Sequence, residues 1–332
     1  MKTPHSLLPQ GPILTRRLSE ALRGNSAFPA PLTVLSRKLP PMMSTFPNEA
    51  VTCRFADGRK RRLFVKYEAG VSHNSHGHRG GISYERQVYE HILRDYPRFR
   101  PRYLGAHTDA HTGESWLILE YLDRCVRVMD IAVDEPSREP VAMLESARWI
   151  GRFHQAQATL AANGACSFLK KYNAEYYRGW SRRTARLTRP LHELHPWLPV
   201  LCKRDDVWMP ILLNAPCTVI HGEYYGKTVM FKKNNVFPVD WESAAVGAGE
   251  IDLAALTEGI RWPGKVVTAC VREYQRERWP EGSPASFPPT LDAARLYLHF
   301  RWLGERKDWT FHPKAVWRYE QLRSVGERLG LI

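Results

Sequence analysis

No apolar run in these 332 residues approaches the roughly 20 that a bilayer-crossing helix needs, so the sequence offers no helical membrane span. The N-terminal stretch MKTPHSLLPQGPILTRRLSEAL lacks the apolar core of a secretory signal. Glu20, set among Arg16, Arg17 and Arg23, argues against a transit peptide. A cytoplasmic protein is the expectation. No C-x-x-C pair occurs: Cys53, Cys125, Cys166, Cys202, Cys217 and Cys270 are scattered, which fits reduced, partly buried thiols and neither a zinc site nor a disulfide frame. Acid is in short supply, with 34 Asp and Glu against 48 Lys and Arg, a net charge of +14 and a pI near 9.6. Such a balance favours anionic partners: nucleotide phosphates, nucleic acid or a membrane surface. No helix-turn-helix, zinc or RNA-recognition signature accompanies the charge, so specific nucleic-acid binding rests on charge alone and ranks last. No repeat or low-complexity tract is present, and the length suits about two lobes or domains.

Against these absences stands one informative stretch, Cys217 to Leu256. A short apolar run, Cys217 to Ile220, ends in His221-Gly222-Glu223. Val229-Met230-Phe231, a polar turn at Lys232 to Asn235, and Val236 to Val239 then lead into Asp240. This reads as short strands joined by a hairpin, with one carboxylate delivered at its entry and another at its exit. Glu223 and Asp240 lie 17 positions apart (240 − 223), yet a hairpin brings its ends together. Two such groups suit general acid/base work or a hard cation such as Mg²⁺.

Upstream, Leu32 to Arg37, Glu49 to Phe55 and Arg61 to Tyr67 read as strands, with a hairpin turn signal at Asp57-Gly58. The loop from Lys38 to Pro47 contains no glycine, so a Gly-rich phosphate loop is missing there. Ser44 and Thr45 offer hydroxyl and backbone donors in its place, and a plain surface turn accounts for them equally well. In Leu63-Phe64-Val65-Lys66-Tyr67 the alternation puts Lys66 on a face with Phe64, opposite Leu63, Val65 and Tyr67. A lysine in an apolar strand needs an anion, because burying an unpaired ammonium is costly. Glu85 supplies one: in the helical run Ile82 to Leu93 it shares a face with Val88, Tyr89 and Ile92, whereas Glu90 lies on the opposite face. A purely structural ion pair is the alternative. Between them, His73, His76 and His78 lie in a Gly- and Ser-flanked loop that reads as mobile rather than as a metal site. Pro101 to His107 and Ser115 to Leu122 form a further hairpin. From Pro140 the chain turns helical, with His154 on an apolar face as a hydrogen-bonded core residue. Residues 160 to 215 are rich in arginine and aromatics, including Tyr172, Tyr176, Trp180, Arg182, Arg186 and Arg189, and helices are expected at about 265 to 278 and 291 to 303.

The stretch around His221-Gly222-Glu223 and Asp240-Trp241-Glu242 resembles the catalytic hairpin of aminoglycoside phosphotransferases, choline kinases and their relatives. Their pattern is His-Gly-Asp, four residues, Asn, then a strand and Asp with an aromatic. Here Glu223 stands where the family base is Asp, and Thr228 where a metal-binding Asn is usual. The resemblance implies an α+β, protein-kinase-like two-lobe fold: an N-terminal extension (1–30), an N-lobe with an antiparallel sheet and one helix that binds nucleotide (31–122), and a larger helical C-lobe (123–332). It further implies an ATP- and Mg²⁺-dependent phosphotransferase acting on a hydroxyl of a small molecule. His221 and Glu223 form its catalytic set, with Glu223 as base. Asp240 and Thr228 hold the metal, Lys66 oriented by Glu85 holds the α/β phosphates, and Ser44 and Thr45 cover the phosphates. Backbone groups from Glu120 to Leu122 meet the adenine edge, and Asp252 braces the catalytic loop. The basic, aromatic insert favours a neutral or anionic acceptor over a polycationic antibiotic. The alternative is a nucleotide-binding scaffold with impaired catalysis, since Glu carries one more methylene than Asp, ~1.5 Å of reach, and ångström-scale misplacement can cost ~10²-fold in rate. Neither the acceptor, the choice of ATP over GTP nor the oligomeric state is legible.

Overall fold

The computed structural model describes residues 8–25, 27–40, 46–68, 75–131, 140–164, 166–259 and 262–332. Ser44, Thr45 and His73 lie outside the described residues. The chain divides into two compact units: Met1–Asn74 with His78–Cys125, and Ser75–Gly77 with Val126–Ile332.

The first unit contains helix α1 (Gly11–Ala21), strands β1 (Leu32–Lys38), β2 (Asn48–Phe55) and β3 (Lys60–Tyr67), helix α2 (Gly81–Val88), and strands β4 (Tyr103–Thr108) and β5 (Ser115–Glu120). The strands form one antiparallel sheet in the order β1-β2-β3-β5-β4. Alternation along β3 sorts its side chains to two faces. Leu63, Val65 and Tyr67 join Val51, Cys53, Phe55, Trp116 and Ile118 in a core that α1 closes with Leu14, Leu18 and Leu22. The N-terminal segment is thus part of this unit's core, and the short helix that its sequence suggests at Thr15 to Leu22 is α1, which begins four residues earlier, at Gly11. Pro12 sits in the first turn of α1, where a missing N–H costs nothing. Gly105 lets the helix end approach β4, since a Cβ there would lie 2.3 Å from the carbonyl oxygen of Ala21.

The second unit begins with β6 (Val126–Arg127), α3 (Val141–Ala162), β7 (Lys170–Lys171), α4 (Ala174–Leu187), α5 (Trp197–Cys202) and α6 (Asp205–Leu213). There follow β8 (Cys217–Ile220), β9 (Val229–Lys232), β10 (Asn235–Pro238), β11 (Ala245–Ala248) and α7 (Glu250–Thr257). Helices α8 (Gly264–Arg278), α9 (Phe287–Glu305), α10 (Lys307–Thr310) and α11 (Val316–Arg328) complete it. Two three-stranded sheets, β10-β9-β6 and β7-β11-β8, sit within this helical framework. Helix α9 is buried along most of its length. It starts four residues before the position read from sequence because Pro288 and Pro289 occupy its first turn, where proline initiates rather than breaks a helix.

Helix α4 carries the middle of the arginine- and aromatic-rich segment, and its side chains divide by face. Tyr177, Trp180, Ser181 and Thr184 are buried, while Arg182 and Arg186 point to solvent. Asn173 caps the helix by accepting the Tyr176 N–H at 2.9 Å. Arg182 and Arg186 therefore form a solvated face, whereas Arg178 and Arg183 are half-buried, Arg178 against Asp205 and Arg183 donating to the carbonyls of Gly304 and Glu305.

Since Leu18 is fully buried beneath the sheet, Leu18→Ala is expected to destabilise the protein by about 2–5 kcal/mol. Urea unfolding of the two chains would show it. A shift below about 0.5 kcal/mol would mean that α1 is not part of the core.

Candidate active site

In the first unit, Lys66 projects from β3 on the face away from the α1 core and is 3% exposed. Its Nζ lies 2.5 Å from Oε2 of Glu85, which α2 holds fully buried. On the core side, Tyr67 donates to Glu49 at 2.6 Å, and Arg37 closes on the same carboxylate. At the end of β5, the Glu120 N–H is given to the Arg102 carbonyl at 2.9 Å, and its carboxylate takes Arg100 and the Arg102 N–H. Leu122 follows the strand, half-buried.

In the second unit, the chain leaves β8 into a loop from His221 to Thr228, whose start is fixed by one carboxylate. Asp252, fully buried near the start of α7, accepts the backbone N–H of His221 at 2.6 Å and that of Gly222 at 2.9 Å. It also faces His154 Nε2 at 3.1 Å, while His154 Nδ1 meets the Tyr274 hydroxyl at 3.0 Å. Burial holds the His154 imidazole below its ordinary pKa, so it is neutral. Gly222 has φ +80°, and a Cβ there would lie 2.2 Å from the Ser243 carbonyl oxygen, so only glycine fits.

His221 has both ring nitrogens engaged within the loop's own framework. Nε2 faces the Val239 carbonyl at 3.0 Å and must carry the hydrogen; Nδ1 receives the Glu223 N–H at 3.3 Å and must be bare. Burial lowers its pKa as well, so the ring is a neutral clasp between the start of the loop and the exit of the hairpin. Thr228 closes the other end: its hydroxyl faces the carbonyls of Glu223 at 2.6 Å and Tyr225 at 3.0 Å, and its own carbonyl accepts the Val239 N–H at 2.9 Å. The hydroxyl hydrogen is spent on the backbone, which leaves the oxygen's lone pairs.

Glu223 is 4% exposed, and its Oε1 lies 3.2 Å from Nη1 of Arg301, which is 1% exposed. The same guanidinium donates to the Tyr225 hydroxyl, which also takes the Trp302 Nε1–H at 3.1 Å. The extra methylene of Glu relative to Asp is what reaches Arg301. The pair was not read from the sequence. The available signal was a single arginine inside the buried run Leu296-Tyr297-Leu298-His299-Phe300-Arg301 of α9.

Asp240 follows β10 in a left-handed conformation, φ 72° and ψ 60°. A residue with a Cβ pays roughly 1–2 kcal/mol for that geometry, a cost that concentrates at functional positions. What enforces it is the next residue: Trp241 is fully buried, 4.5 Å from the His221 ring and 5.3 Å from Phe153. Among the described residues no group of three or more His, Cys, Asp or Glu side chains is placed to hold a metal ion unaided. A site completed by phosphate oxygens, as Mg²⁺ prefers, needs only one or two carboxylates. His76 packs within the second unit, stacked on Tyr176 and against Trp180, and His78 is buried in the first unit.

Searches against protein-family models and curated proteins returned no match. Solved structures did match. Choline kinase LicA from Streptococcus pneumoniae aligns with a TM-score of 0.59 at 10% identity over 97% of this chain and 99% of that one. A choline kinase from Cryptosporidium parvum gives 0.59 at 11% identity, covering 97% and 98%. A putative aminoglycoside phosphotransferase from Ralstonia eutropha gives 0.58 at 14% identity, covering 97% and 96%. The chain has their protein-kinase-like fold. Within that fold, the hairpin expected from sequence is β9–β10, and the loop that precedes it is the one Asp252 pins.

Asp252→Ala would leave two backbone N–H groups and His154 without their acceptor in a dry interior. The expected cost is at least about 3 kcal/mol, since each stranded buried donor costs about 1–3 kcal/mol. Chemical denaturation would measure it, and a loss under about 1 kcal/mol would show that the loop is held by something else.

Proposed function

We propose that the protein is an ATP- and Mg²⁺-dependent phosphotransferase that moves the γ-phosphoryl group to a hydroxyl of a small neutral or anionic molecule. The observation that carries this reading is the pinned loop. It fixes a buried carboxylate, Glu223, at one end of a hairpin whose other end presents Asp240 in an enforced left-handed turn. Structures of this fold have been solved with nucleotides, among them LicA with AMP and an amicoumacin kinase with AMP-PNP and Ca²⁺.

In this reading Lys66 binds the α/β phosphate oxygens, and Glu85 keeps its ammonium aimed. Ser44 and Thr45 lend donors to the phosphates, and the backbone around Glu120 to Leu122 meets the base. Asp240 holds Mg²⁺, with the Thr228 oxygen as a second, neutral ligand through a water. When bound, the cation neutralises charge on the transferring phosphoryl group. Glu223 orients the acceptor hydroxyl and takes its proton, while Arg301 holds that carboxylate in one position. His221 carries no charge and serves, through its Nε2–H bond to the Val239 carbonyl, as the clasp that places Glu223 relative to Asp240.

The surroundings of Glu223 also bear on the acceptor. Lys227 lies against the rings of Tyr225 and Trp302, at 5.2 and 5.8 Å, and Arg301 against the same two rings at 5.8 and 5.6 Å. The two cations disfavour a polycation and suit a neutral or anionic alcohol, and the aromatic faces that could attract a cationic acceptor already carry Lys227 and Arg301. The second reading, a nucleotide-binding scaffold with impaired catalysis, draws on the tie between Glu223 and Arg301 and on Thr228 in place of an amide ligand.

One measurement tests the nucleotide site that both readings share, and a second separates them. Lys66→Ala and Asp240→Ala are each expected to weaken Mg-ATP binding at least tenfold by calorimetry, about 1.4 kcal/mol. Unchanged binding in both would remove the assigned nucleotide site. Glu223→Gln should lower kcat by ~10²–10⁴ while leaving the Kd for Mg-ATP within about twofold, because loss of a general base acts on the chemical step. Turnover at an undiminished rate would move the weight to the scaffold.

A further inference from the structure

A cavity of about 420 Å³ opens in the helical unit among α7, α8, α9 and α11, and its lining shares no residue with the loop that carries Glu223. Thr257, Gly264, Thr268, Arg295, His299 and Arg328 face it. We infer that this cavity is a second small-molecule site, one that takes a ligand bearing a phosphate or similar oxyanion.

Four features argue for an anion. The cavity includes the first residue of α8, a 15-residue helix with no side-chain cap, no acid in its first turn and a proline, which has no N–H, before it. The N–H groups of Val266 and Val267 are taken by the Pro263 carbonyl at 2.9 and 3.2 Å, those of Gly264 and Lys265 precede the first turn's bonds, and the helix dipole is positive at this end. A Cβ built on Gly264 meets nothing within 4 Å, so the backbone there is open to an approaching group.

His299 is the second feature. It is 4% exposed, and its Nδ1 has no hydrogen-bond partner, although a buried polar atom normally has one. Burial, reinforced by Arg318 and Arg295, holds its pKa well below the ordinary value, so the ring is neutral and has one N–H to give.

The third feature is a surplus of guanidinium. Arg295 and Arg328 share the single carboxylate of Asp292, at 2.9 Å for Arg295 and at 2.8 and 3.0 Å for Arg328. Two cations on one acid leave one positive charge at the rim. The fourth is the absence of competing acid: Glu258, the one carboxylate among the lining residues, is closed on Arg318 by two 3.1 Å bonds. The volume exceeds by far the ~30 Å³ share of one water, and the apolar side chains of Val267 and Leu298 line part of it. The space therefore suits an organic phosphate.

Calorimetry on the full chain with glucose 6-phosphate and with inorganic phosphate, at matched ionic strength, tests this site. One saturable site with a Kd below about 1 mM is expected. It should weaken at least tenfold in Arg295→Gln/Arg328→Gln and be lost in Gly264→Phe, which adds a bulky side chain at a lining position where a Cβ meets nothing within 4 Å. Lys66→Ala, in the other unit, should leave it unchanged. Glucose 6-phosphate binding tenfold tighter than phosphate assigns an organic ligand, and equal affinity assigns free phosphate. No saturable binding up to about 10 mM, binding indifferent to both cavity variants, or binding lost with Lys66→Ala overturns the proposal.

Discussion

The Asp252 carboxylate is the constraint from which the candidate site is built. It accepts two consecutive backbone N–H groups, from His221 and Gly222, and meets His154 from the opposite side. An ionised acceptor in a dry interior makes each of those bonds stronger than a neutral one. Because the pinned groups are backbone, the loop's path is fixed before any side chain is placed. Gly222 then turns against the Ser243 carbonyl, His221 reaches the Val239 carbonyl, and Thr228 ties back to the loop carbonyls. The positions of Glu223 and Asp240 relative to each other follow from that sequence of ties within one unit.

Local pattern made much of this legible. The alternation in Leu63 to Tyr67 separated Lys66 from the core residues, and helical spacing put Glu85 on a buried face; the two meet at 2.5 Å. The hairpin between Glu223 and Asp240 was visible from its polar turn, and it is β9–β10. What escaped the sequence are contacts that no spacing encodes. Arg301 lies 78 positions (301 − 223) beyond Glu223, and only the packing of α9 brings them together. The arginines of α4 were conspicuous in sequence, yet Arg182 and Arg186 face water, because the aromatics of the same helix occupy its inner face, and Arg183 is spent on backbone carbonyls of α9. Two prolines concealed the start of α9, since proline serves equally well as an initiator and as a breaker.

Similarity at about one residue in ten shows how little of a sequence this fold requires. Sheet alternation, amphipathic helices and the ties around one buried acid are enough to build it, and chemistry is then decided by a few side chains. Here two of those differ from the resembled pattern, Glu223 and Thr228. Both are accommodated: Thr228 as a staple of its own loop, Glu223 by a guanidinium within reach.

That guanidinium has an evolutionary consequence. Positions 223 and 301 are entrenched. An aspartate at 223 falls short of Arg301 by about one C–C bond, ~1.5 Å, and leaves a cation that is 1% exposed without its carboxylate, a change of the kind that costs about 3–5 kcal/mol. An apolar residue at 301 removes the Arg301 contact of a carboxylate that is 4% exposed. A change at either position therefore bears on the other, and the identity of residue 223 is tied to packing on α9.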